Sequence, residues 1–124
     1  MKENIITISE SGVVSVPDNV QMRDFEIAEL FGAMIPAVRS NIRVILKSGI
    51  VTANTHSDGT FCGNTFYPDY YGLDMVVALA FRIQSLEAEA FRIWILSKAA
   101  KKEHSMINQQ VFISIDKSIN RLNN

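Results

Sequence analysis

Two glycines, Gly32 and Gly49, each close a run of helical spacing, and this punctuation constrains the fold more than any other feature of the chain. Before Gly32, residues 24–31 put Ile27, Leu30 and Phe31 on one side with Ala28 beside them, the spacing of a helix with one apolar face. Asp24, Glu26 and Glu29 lie on the polar side, and acids early in a helix suit its positive end. Glycine just past the last turn is a common helix stop, because it takes the left-handed backbone without steric penalty. Between the two glycines, Pro36 fits the first turn of a second helix, expected over residues 36–48. Its apolar stripe is Val38, Ile42, Ile45 and Leu46, and a second stripe of Arg39, Arg43 and Lys47 recurs every four residues. One face can pack inward while the other meets solvent or phosphate. Two short helices joined by a glycine turn have helix-turn-helix proportions. In such motifs the second helix lies in the major groove of DNA and the first crosses the backbone.

The flanking segments add small strands and further helices. Residues 5–8 and 13–16 are short β-prone runs around Ser11-Gly12 and predict a hairpin, which Pro17-Asp18-Asn19 ends. A second hairpin is expected from residues 51–56 and 61–67, with Asp58-Gly59 at its turn. It would stand as the wing beside the second helix. Pro68 and Gly72 bracket a loop with Tyr70 and Tyr71. Tyr67, Tyr70 and Tyr71 near turn residues suit a ligand pocket or a partner contact. Residues 73–83 are apolar nearly all round and predict a buried helix, and residues 87–101 an amphipathic one. Phe31, Phe81, Phe91 and Trp94 are expected in the core. The tail, residues 103–124, carries one more apolar stripe of Val111, Ile115, Ile119 and Leu122, expected to form a short docking or dimerisation helix. The fold class is therefore α+β, mainly α: a winged helix-turn-helix with small β-hairpins and two C-terminal packing helices. Residues 1–102 form the domain and 103–124 the tail.

Charge narrows the function. The net charge of the 124 residues is −1, which argues against a general polyanion binder. Residues 1–30 hold six acids against Lys2 and Arg23, whereas residues 31–57 hold Arg39, Arg43 and Lys47 and no acid. One local basic segment thus lies in a mildly acidic whole. Arginine can read guanine and asparagine adenine, while lysine neutralises phosphate. The candidate DNA contacts are Arg39, Ser40, Asn41, Arg43 and Lys47 on the second helix, with His56 and Thr60 on the wing. A length of 124 residues fits one domain, and the single cysteine, Cys62, excludes an internal disulfide and suits a reducing compartment. No signal-peptide pattern and no run of about 18 apolar residues is present, so a cytoplasmic protein without a membrane span is expected.

The segment Phe25-Glu26-Ile27-Ala28-Glu29-Leu30-Phe31-Gly32 resembles the Q-I-A-E-L-F-G run of the RhuM virulence-protein family. Val44-Ile45-Leu46-Lys47-Ser48-Gly49-Ile50-Val51 is similar to that family's N-I-F-x-S-G-E-L pattern. Tyr71-Gly72-Leu73-Asp74-Met75-Val76-Val77 and the later Phe91-Arg92-Ile93-Trp94 resemble its Y-N-L-D-x-I-I and F-R-I-W blocks. Order and spacing agree over about residues 22–101. The resemblance implies a winged-helix, DNA-binding-like head in a bacterial or mobile-element setting, acting as a transcriptional regulator or accessory head. Related heads precede toxin domains of the Fic/Doc kind and resemble phage antirepressors. The family's second helix begins like S-R-P-T-I-S-R-H, where this chain has Met34-Ile35-Pro36-Ala37-Val38-Arg39-Ser40-Asn41, and Met22-Arg23 replaces a Leu-Thr cap. These departures leave a second reading open: a non-enzymatic interaction module that kept the fold and uses the apolar tail stripe or the tyrosine loop to form a heteromeric complex or a homodimer, the homodimer through the tail.

No enzymatic chemistry is expected. His56, Asp58, Gly59, Gly63 and Asn64 lack the Gly-Asn-Gly-Arg run of a Fic-type phosphate loop. His56, Cys62 and His104 do not have zinc-ligand spacing, and no phosphate-cradling glycine loop or dinucleotide fingerprint is present. Cys62 is expected as a partly buried thiol. Arg82 and Arg92, on apolar helices, are expected to pair with a carboxylate such as Asp74 or to cap a backbone carbonyl. The expected partner is double-stranded DNA, with no cofactor and no metal.

Overall fold

Gly32 and Gly49 both take the left-handed backbone, at φ +61° and +79°, and each closes one helix of the pair on which the rest is arranged. The computed structural model describes residues 4–53 and 57–107. Helix α1, Asp24–Phe31, buries Ile27, Ala28 and Phe31. At its start the Glu26 carboxylate accepts from the Arg23 backbone N–H at 2.8 Å. The return half of a capping box is missing, because a guanidinium has no acceptor. Helix α2, Ile35–Ser48, begins one residue before the expected start, with Pro36 in its first turn, and buries Val38, Ile42 and Ile45.

The described residues form an α+β, mainly helical structure with four helices and two small antiparallel hairpins. The first hairpin pairs β1, Thr7–Ile8, with β2, Val14–Ser15. It is shorter than the apolar runs because residues 9–13 form the loop. There the Ser9 N–H donates to the Val13 carbonyl and the Ser9 hydroxyl accepts from the Val13 N–H. The second hairpin pairs β3, Gly59–Cys62, with β4, Thr65–Pro68. Its turn is Gly63-Asn64, not Asp58-Gly59. Gly63 has φ +64° at the position where a II′ hairpin turn takes glycine. Gly59 instead lies within β3, opposite Pro68, where it allows close strand approach.

Helix α3, Leu73–Ala80, buries Met75, Val76, Leu79 and Ala80. It stops short of the expected end at residue 83. Beyond it, Arg92 Nη1 donates to the Ala80 carbonyl at 2.6 Å and to the Ile83 carbonyl at 3.0 Å, satisfying carbonyls that a helix end leaves without partners. Arg92 is therefore a backbone cap, one of its two expected roles. Helix α4, Leu86–Ile107, starts under Ser85, whose hydroxyl accepts from the Ala88 N–H at 3.0 Å as an N-cap does.

The chain divides into two compact units, Met1–Arg92 and Ile93–Asn124. The core of the first contains Ile6, Met22, Ile27, Phe31, Val38, Ile42, Met75, Leu79 and Phe91. The Phe31 and Phe91 rings meet at 5.8 Å, tilted by 54°, within the range aromatic pairs favour. Met22 and Tyr71 exchange backbone hydrogen bonds of 3.0 and 2.8 Å, which tie the entry of α1 to the entry of α3. Phe81, expected in the core, is exposed, since it lies in the turn after α3. In the second unit, Trp94 is half-buried, with the Lys98 ammonium 5.7 Å from its ring centroid, and Ile93 and Leu96 are exposed. The tail stripe at 111–122 lies outside the described residues. Among the described residues, no helix is long and apolar enough to cross a membrane.

Candidate nucleic-acid interface

The outward side of α2 carries Pro36, Arg39, Ser40, Arg43 and Lys47, all exposed. This follows from the helical period, since Val38, Ile42 and Ile45 point inward and residues four apart share a face. Pro36, Arg39, Ser40 and Arg43 line a groove of about 480 Å³ with Asp24 of α1 and with Cys62 and Tyr67 of the second hairpin. Hairpin and helix thus form two walls of one open surface.

Arg39 Nε donates to Asp24 Oδ2 at 2.7 Å, with the side chains 64% and 26% exposed. The absence of acids in residues 31–57 therefore does not carry over to space, because α1 brings a carboxylate to the first of the three cations. Arg43 Nε donates to the Tyr67 hydroxyl at 3.3 Å. Hydrogen bonds to Asp24 and Tyr67, respectively, raise the pKa of Arg39 and Arg43, so both remain cations wherever the protein is folded. Lys47 is exposed one turn further on, and it borders a second groove, with Thr52, Phe61 and Asn64.

The other expected contacts divide. Ser40 lines the first groove. Thr60 is exposed on β3, opposite Tyr67. Asn41 is half-buried. Its Nδ2 donates to the Ala37 carbonyl at 2.9 Å, and its Oδ1 accepts from Arg82 Nε at 2.8 Å. Both ends of the amide needed to read adenine are thereby engaged within the protein, and Arg82 pairs with an amide rather than the expected carboxylate or carbonyl. His56 lies outside the described residues. Cys62 is exposed, not partly buried, because its strand shows an exposed side chain at every position.

The tyrosines also separate. Tyr71 is buried, and burial pushes its hydroxyl pKa up to about 12, with the Asp24 carboxylate adding to the rise. Tyr70 accepts from Arg23 Nη2 at 2.8 Å, and that guanidinium lies 4.5 Å from the ring centroid. Asp24, Tyr67 and Arg82 were missing from the sequence-derived site. They contact α2 from 15, 24 and 41 residues away, separations at which no periodic pattern links partners. Among the described residues, no group of three or more His, Cys, Asp or Glu could hold a metal ion.

The arrangement defined by these residues is a mainly helical α+β unit that presents two arginines and a lysine beside a hairpin. Comparison of the chain with protein-family models, curated proteins and solved structures returns no match.

Proposed function

We propose that the chain is a DNA-binding protein of the winged helix-turn-helix type, with α2 in the major groove and the β3–β4 hairpin as the wing. The observation that carries this reading is the outward stripe Arg39, Arg43 and Lys47 along α2, all exposed and bordered by the hairpin. A major groove accepts one helix, and cations along it neutralise phosphates. The resemblance to the RhuM family supports a role as transcriptional regulator or accessory head of a mobile-element or virulence system. The reading includes no catalysis and a cytoplasmic setting.

The test is fluorescence anisotropy with random and genomic duplex at low salt. Binding at micromolar protein is expected, and the double variant Arg39→Glu, Arg43→Glu should lose it while keeping its helical circular dichroism. Wild-type protein that binds no duplex sinks the reading. A double variant that binds as well as wild type removes α2 as the contact surface. The rival, an interaction module without DNA, draws on the exposed Ile93 and Leu96 of α4. It requires a DNA-silent protein whose dimer, measured by light scattering, dissociates on removal of residues 105–124.

A further inference from the structure

We propose that Asp24 and Tyr67 are positioning residues that hold Arg39 and Arg43 by Nε and present both Nη forks to the two-acceptor edge of guanine. Helix α2 then reads guanine at two points about two base steps apart. The inference rests on the DNA-binding reading and adds a base preference to it.

The supporting pattern is the way these arginines are held. A guanidinium has five N–H donors, one on Nε and four on the Nη groups. Arg39 is bonded through Nε to Asp24 and Arg43 through Nε to Tyr67. Among the described residues, no other hydrogen bond to either guanidinium is found. A side-on bond fixes the plane of the group and leaves the fork edge for a ligand. Two parallel acceptors match that fork. In duplex DNA they are offered by guanine O6 and N7 in the major groove, or by the free oxygens of one phosphate.

The Asp24 carboxylate favours guanine over phosphate. Beside a phosphate it would repel the ligand and cancel the charge that attracts it. Beside a base edge the gain is orientation, and the carboxylate supplies that through Oδ2. Lys47 has no comparable clamp among the described residues, and a flexible point charge is suited to phosphate. Arg39 and Arg43 are four residues apart, about 6 Å along the helix axis. This is close to two base-pair rises of about 3.4 Å each.

The test is selection of bound duplexes from a pool with a randomised 14-base-pair centre, using full-length wild type and the near-isosteric D24N and Y67F variants. Wild type should enrich guanine at two positions. D24N should lose the preference at one and Y67F at the other, each by about tenfold, the scale of one bidentate base contact. D24N should bind the remaining duplexes at least as well as wild type, since a negative charge is gone. Replacing one enriched guanine by 7-deazaguanine, which lacks the N7 acceptor, should weaken wild type and leave nearly unaffected the variant that has lost its preference at that position. R39K, which keeps the charge but not the fork, should lose the same guanine preference as D24N and stands in for that readout if D24N fails to fold. Guanine preference retained in both variants overturns the positioning role. Wild type that binds duplex without guanine enrichment, with D24N tighter on every sequence, assigns the arginines to phosphate and overturns the inference alone. Wild type that retains no duplex overturns the DNA-binding reading itself.

Discussion

Tyr71 joins two parts of the structure and adds a pH dependence. Its backbone pairs with Met22 while its side chain is buried. Burial disfavours the phenolate, and the Asp24 carboxylate disfavours it further, so the hydroxyl pKa rises to about 12. In the unfolded chain a tyrosine ionises near about 10. Below that pH neither state loses the proton, and the full contribution to stability is present. Above it the unfolded chain ionises first, so stability falls as pH rises from about 10 to about 12. Urea unfolding across this range should therefore show a smaller alkaline loss for Tyr71→Phe than for wild type. Absorbance near 295 nm should show one tyrosine ionising around pH 12 in wild type and not in the variant. Identical alkaline profiles for the two proteins would show that the buried hydroxyl is not the cause.

At the level of elements, the second hairpin depends on two glycines for different reasons. Gly63 has a positive φ and no atom within 4 Å of where a Cβ would sit. Gly63→Ala thus adds only left-handed strain, about 1–2 kcal/mol. A Cβ on Gly59 would lie 2.5 Å from both Phe66 Cζ and the Tyr67 carbonyl oxygen. Gly59→Ala must displace the partner strand, a change in the overpacking range of about 1–3 kcal/mol. Amide hydrogen exchange should quicken through β3 and β4 in Gly59→Ala, with the amides of α1 and α2 little changed. Unaltered hairpin exchange would contradict the close approach.

The same hairpin marks how far the sequence could be read. Helix α1 lies where the spacing puts it and α2 within one residue, because apolar periodicity, an early proline and a glycine stop are local signals. Asp58-Gly59 and Gly63-Asn64 are both acceptable turns by local chemistry. What distinguishes them is the packing of Phe66 and β4 against Gly59, a contact between strands. The candidate surface divides in the same way. The stripe of Arg39, Arg43 and Lys47 was legible as a periodic pattern. The hydrogen bonds from Asp24 and Tyr67, and the engagement of Asn41 by Arg82, arise only when distant elements meet.

For the whole molecule, the net charge of −1 sets what the proposed DNA-binding reading requires of the interface. A protein with a large positive field gathers a polyanion from a distance and binds it wherever cations meet phosphate. This chain has no such surplus, and at its exposed α2 face one of the three cations already shares a carboxylate. On the proposed reading, attraction comes from short-range contacts of α2 and the hairpin, with few phosphates neutralised. If Lys47 and two further groups each meet one phosphate, the logarithm of affinity should fall with the logarithm of salt with a slope of about −2.7. Between 50 and 200 mM salt, affinity should drop about 40-fold, a weaker dependence than that of proteins that wrap or track the backbone. Anisotropy titrations at four or five salt concentrations measure this slope. Lys47→Gln should make it shallower by nearly one, with an equal effect on every sequence, because a phosphate contact carries no base information. A wild-type slope steeper than about −6 would mean that many more cations meet the duplex than α2 and the hairpin present, and would move the interface away from this face.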